Sequence, residues 1–85
     1  MKQKERIRML LDALIIQTVD YGFNYDEGYN FMTGLDDFIN FNLDDPHIAQ
    51  KKSLITAWDE FTDKDYTTII NKYSRWYLKQ LEERK

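Results

Sequence analysis

From Asp20 to Asp45 the chain reads DYGFNYDEGYNFMTGLDDFINFNLDD, with seven acids, seven aromatic rings and not one Lys or Arg. A segment so rich in rings cannot stay solvated, and one so acidic cannot be wholly buried. It has to fold with its rings inward and present carboxylates of a single sign to solvent. Whatever architecture the chain adopts must therefore supply an apolar wall for this stretch.

That wall has to come from few residues. Eighty-five residues are expected to form one domain, 1–85. A chain of this size buries only about 60% of the surface its unfolded form exposes. No cysteine is present to add a cross-link. The compensation lies in thirteen aromatic residues, each able to bury roughly 150–250 Å².

Apolar spacing predicts four helices. Over 4–20, Ile7, Leu10, Leu11, Leu14, Ile15 and Val19 recur at three- and four-residue intervals, with Ala13 and Ile16 widening the stripe. Gly22 stands where a left-handed C-terminal cap is often placed. A second helix is expected over 25–41, with Asn24 as its cap, Glu27 three residues on, and a stripe of Tyr25, Tyr29, Met32, Leu35 and Ile39 that Phe31 and Phe38 widen. Gly28 and Gly34 weigh against it, at about 1 kcal/mol each. Its end, residues 38–43, alternates like a short strand. Asp45-Pro46 predicts the start of a third helix over 46–61, packing Ile48, Leu54, Ile55, Trp58 and Phe61. Thr62 is expected to cap a fourth over 63–83, with stripe Tyr66, Ile69, Ile70, Tyr73, Tyr77 and Leu81. Arg84 and Lys85 suit its C-terminal dipole. Short connections imply an all-α, antiparallel four-helix bundle with an aromatic core.

Few chemistries fit this inventory. His47 is the only histidine, so no paired-histidine zinc motif exists. Asp36/Asp37 and Asp44/Asp45 would hold a divalent ion only if folded together, and the plainer expectation is helix caps and solvated acids. No calcium-loop register fits, because Phe23 or Tyr29 would fall at the first ligand position. Ser53 and Ser74 lie in no nucleophile motif, and no Gly-rich phosphate loop is present. No catalytic residue, metal or cofactor is assigned, and the expectation is a non-enzyme. Apolar runs are far shorter than the roughly 20 residues of a membrane span, and Asp12 interrupts the apolar part of any secretory leader. A cytoplasmic protein is expected.

Charge then suggests how such a protein acts. Residues 21–50 carry six acids and no base, between ends that are each slightly basic. An acidic face with tyrosines fits a basic partner protein, which its field would steer in. The anchors expected are Asp26, Glu27, Asp36, Asp37, Tyr25 and Tyr29, and reversing Asp36 and Asp37 to Lys is expected to weaken docking without loss of helicity. One alternative is a nucleic-acid-binding regulator using Lys51, Lys52, Lys72, Arg75 and Lys79, with Trp76 as a stacking ring. Another is a structural subunit that self-associates, a homodimer in the simplest case. In composition alone the chain resembles small inhibitors, immunity proteins and accessory factors of bacteria and phages, which implies protein binding.

Overall fold

The computed structural model describes residues 1–23, 29–49 and 51–83. Among these the fold is an all-α bundle: α1 over Gln3–Thr18, α2 over Phe31–Ile39, α3 over Lys51–Asp59 and α4 over Asp63–Glu83. α1 is the central element, packing against each of the other three. It can do so because its buried positions, Leu10, Ala13, Leu14, Gln17 and Thr18, follow one helical face. That face lies one step around from the expected stripe and includes two polar residues.

α1 does not end on a left-handed glycine. It continues into a π-helical turn, Val19–Phe23. Gly22 is needed there for a close approach: a Cβ would sit 3.0 Å from the Tyr29 carbonyl oxygen.

α2 begins later than expected. Tyr29 and Asn30 are not helical, and the Asn30 side chain accepts from Thr33 N at 3.0 Å, capping a helix that starts at Phe31. The expected cap Asn24 and Gly28 lie outside the described residues. With the start moved, the face narrows to Phe31, Gly34, Leu35 and Phe38, the expected widening residues among them, while Met32 and Ile39 of the expected stripe turn outward at 69% and 50% exposure. Gly34 is required: a Cβ would overlap the Tyr73 hydroxyl, so only glycine lets α2 ride over that ring.

Residues 38–43 form no strand. Phe41 N donates to Phe38 O at 3.1 Å and Asn42 N to Asp37 O at 2.7 Å, the two bonds of a Schellman ending. Phe41 holds the left-handed position with φ 51°, where glycine is usual. Its ring stacks on Trp58 at 4.9 Å, which offsets that strain.

The Asp45-Pro46 signal makes a turn, not a helix start. Ile48 N donates to Asp45 O at 3.0 Å and His47 N to Asp45 Oδ1 at 2.7 Å. The chain must turn here because Asp45 is pinned beneath α1 and Ile48 enters the core. α3 therefore starts at Lys51, burying Leu54 and Ala57 and leaving Ile55 half exposed.

α4 matches its predicted bounds. Thr62 Oγ1 accepts from Asp65 N at 3.2 Å while Thr62 N donates to Asp65 Oδ2 at 3.3 Å, a reciprocal capping box. Arg84 and Lys85 lie outside the described residues. Leu81, expected in the stripe, is 49% exposed. Rings complete the core in two groups. Phe38 meets Trp58, Phe61 and Tyr66 edge-on or tilted, and Phe31 stacks on Tyr73 at 5.2 Å. Each such pair adds about 1 kcal/mol beyond its buried area. Among the described residues no helix is long and apolar enough to cross a membrane.

Candidate functional site

The acidic stretch is organised by one buried amide near the end of α1. Gln17 is fully buried. Its Nε2 donates to Asp37 Oδ2 and to Asn42 O, both at 2.9 Å, and more weakly to Tyr29 Oη at 3.3 Å. Its Oε1 accepts from the backbone amides of Asp44 at 2.9 Å and Asp45 at 3.2 Å. A primary amide has two donor hydrogens and two acceptor lone pairs, so Gln17 is fully used. The result is an acidic pole: Asp37, Asp44 and Asp45 surround the last turn of α1, and Asp20 follows in the π-helical turn.

Within this pole Asp20, Asp45 and His47 form a cluster. His47 Nδ1 lies 2.7 Å from Asp20 Oδ2 and 3.3 Å from Asp45 Oδ1. Hydrogen bonding to His47 holds the Asp20 carboxyl below the usual range. The bond to Asp20 raises His47 in turn, helped by the charge of Asp45. Asp45 is wholly buried, and among the described residues its Oδ2 has no hydrogen-bond partner. The expectation that Asp45 caps a helix in solvent is thus corrected on both counts.

The expected anchors divide into three groups. Tyr25, Asp26 and Glu27 lie outside the described residues. Asp36 is exposed and bonded to the end of its own helix through Asn40. Asp37 and Tyr29 are half-buried and tied to Gln17, and Tyr29 also meets Tyr21 edge-on at 5.8 Å. Burial, together with Asp37 nearby, pushes the Tyr29 phenol well above its ordinary pKa and keeps it neutral. Reversing Asp37 would therefore disturb the core as well as the surface. Asp44, which was not among the expected anchors, is exposed beside Asp45.

The basic residues are less gathered. Lys51 Nζ donates to Asp45 O at 3.3 Å, which draws it toward the acidic pole. Lys52, Lys72, Arg75 and Lys79 are exposed on α3 and α4. Trp76 is half-buried and stacked on Tyr73, so its ring serves packing. Beside it, Phe31, Ser74, Tyr77, Leu78 and Leu81 line an apolar groove of about 300 Å³, with Leu78 58% exposed.

Sequence reasoning missed Gln17, Thr18, Asp65 and Arg6. Gln17 and Thr18 had a usable signal, since both continue the 10-13-14 spacing. Arg6 and Asp65, paired at 2.7 Å, had none, being 59 positions apart. No family model, no curated protein and no solved structure matches the chain.

Proposed function

We propose that the protein acts without catalysis, in the cytoplasm, by binding a basic partner protein through its acidic pole, as an inhibitor or accessory factor. The observation that carries this is the Gln17 hub. It draws acids from 20 to 28 positions away to one end of α1, where a single-sign surface raises the encounter rate with a Lys- and Arg-rich face. The contact acids are Asp36 and Asp44, with Asp20 and Asp37 behind them. Affinity capture with the wild type beside an Asp36→Lys/Asp44→Lys variant tests this. A protein retained by the first and lost with the second supports it. Equal retention by both rejects it, and recovery of nucleic acid would favour the Lys52, Lys72, Arg75 and Lys79 surface instead.

Self-association is a second reading, favoured by Leu78 and Leu81 beside the α4 groove. Leu78→Glu would then convert a dimer to a monomer in light scattering.

A further inference from the structure

We propose that Asp20, Asp45 and His47 form a binding site for a first-row divalent metal ion, with Zn²⁺ the ion that suits the donor set. One carboxylate oxygen from each acid and a ring nitrogen of His47 lie within 4.8 Å of one another. Two segments supply them: the π-helical turn after α1 and the 45–48 turn.

The second observation is the state of Asp45. Its carboxyl group is fully buried, and Oδ1 already accepts from His47 N, yet among the described residues Oδ2 has no partner. A buried carboxylate oxygen left unpaired is costly, and native structures rarely tolerate one without a role for it. The His47–Asp20 pair does not relieve this, because the imidazole is 2.7 Å from Asp20 and farther from Asp45. A cation seated between the three groups would engage both acids.

The spacing suits a small ion. Tetrahedral Zn²⁺ with N and O ligands at about 2.0 Å places donor atoms roughly 3.3 Å apart. His47 Nδ1 stands 2.7 Å from Asp20 Oδ2 and 3.3 Å from Asp45 Oδ1, so entry requires Asp20 and His47 to open slightly. Both can move: their side chains are 25% and 78% exposed, whereas Asp45 is held from above by Gln17. On binding, the imidazolium form releases its Nδ1 proton to solvent and keeps the one on Nε2, so that Nδ1 of the neutral ring takes the metal, while the exposed side leaves room for a water ligand. One imidazole with two carboxylates selects a borderline ion. Ca²⁺ takes six to eight oxygen ligands, and Mg²⁺ keeps most of its waters. The ion would clamp the end of α1 to the 45–48 turn and so stabilise the fold. None of this depends on the docking partner.

The test uses chelator-treated, dialysed full-length protein titrated with ZnCl₂ by calorimetry and thermal melting, with MgCl₂ alongside. The expected result is one equivalent bound and a raised Tm. Both responses should weaken by more than about tenfold in affinity for His47→Ala and for Asp20→Asn, each an accessible side chain. As the chain has a single histidine, the ¹⁵N resonances of its ring report directly on the wild type, and Nδ1 should shift on Zn²⁺ addition. Absence of binding at millimolar Zn²⁺, an unmoved Nδ1 signal, or wild-type affinity in both variants would overturn the site. Equal binding of Mg²⁺ with the same dependence on His47 and Asp20 would overturn the choice of ion.

Discussion

Among the described residues two aspartates are wholly buried, one at each end of α1, and their surroundings differ. At the N-terminal end Asp65 is satisfied on both oxygens. Oδ2 accepts from Arg6 Nε at 2.7 Å and Thr62 N at 3.3 Å, and Oδ1 from Gln3 Nε2 at 3.0 Å and Arg6 Nη2 at 3.5 Å. At the C-terminal end Asp45 accepts from His47 N on Oδ1 and leaves Oδ2 open. The first is a closed structural joint between α1 and α4. The second is a buried carboxyl fixed in place with one oxygen to spare. Burial alone therefore does not distinguish a structural acid from a functional one; the completeness of its hydrogen bonding does.

The sharpest way to break the comparison is to neutralise the closed joint. Asp65→Asn keeps the volume but removes the charge facing Arg6 and turns an acceptor into a donor beside existing donors. Losing one partner of a buried, hydrogen-bonded pair costs about 3 kcal/mol, which should appear as a lower urea midpoint with an unchanged slope. A cost below about 1 kcal/mol would class the pair with surface ion pairs.

Next in size is Gln17→Leu. The side chain is close in volume, yet it leaves the Asp44 and Asp45 amides and the Asn42 carbonyl without their partner. The expected loss is about 2 kcal/mol, accompanied by faster hydrogen exchange at the Asp44 and Asp45 amides, while the Thr62 and Asp65 amides stay protected. Equal loosening at both ends would mean that α1 transmits the change and the two sites are not independent.

Acid should separate the ends by a smaller margin. Burial works against the Asp65 charge, but hydrogen bonds from Arg6, Gln3 and Thr62 N outweigh it and hold the carboxyl below its ordinary range. A carboxyl depressed in the folded state contributes stability that is complete above its unfolded pKa of about 3.9 and is lost as pH falls through the folded value. Denaturation midpoints should fall below about pH 4, and Asp65→Asn should flatten that part of the profile.

How much of this was legible in the chain follows the range of the interactions. α4 could be bounded from sequence because its capping box and stripe are local. The starts of α2 and α3 could not. Asn24 and Asn30 offer the same cap chemistry, and only packing of Phe31 on Tyr73 favours the later one. Asp45-Pro46 carries a strong helix signal, but a hydrogen bond from 28 positions away holds Asp45 in a turn. The acidic character of the site was plain from composition. Its assembly was not, since a glutamine on a helix reads as a surface residue until its neighbours at 37, 42, 44 and 45 are known. The apolar stripes misled at Met32, Ile39, Ile55 and Leu81, all of which turn outward.

The smallest effect is the most discriminating. Asp45→Asn retains the oxygen that accepts from His47 N and replaces the open Oδ2 with an amide nitrogen. That nitrogen can donate to the Asp20 carboxylate of the same cluster, giving the open position a hydrogen bond. A neutral bond of this kind is worth about 1 kcal/mol, which offsets the loss of the attraction to His47. The net change in stability should lie within about 1 kcal/mol of zero, against about 3 kcal/mol for the same substitution at position 65. Zn²⁺ should then no longer raise the melting temperature, because an amide is a poor ligand for that ion. A variant as stable as the wild type but unresponsive to Zn²⁺ would establish that the Asp45 carboxyl serves binding and not folding. If Asp45→Asn were as damaging as Asp65→Asn, the open oxygen would be structural after all, and the two ends of α1 would be alike.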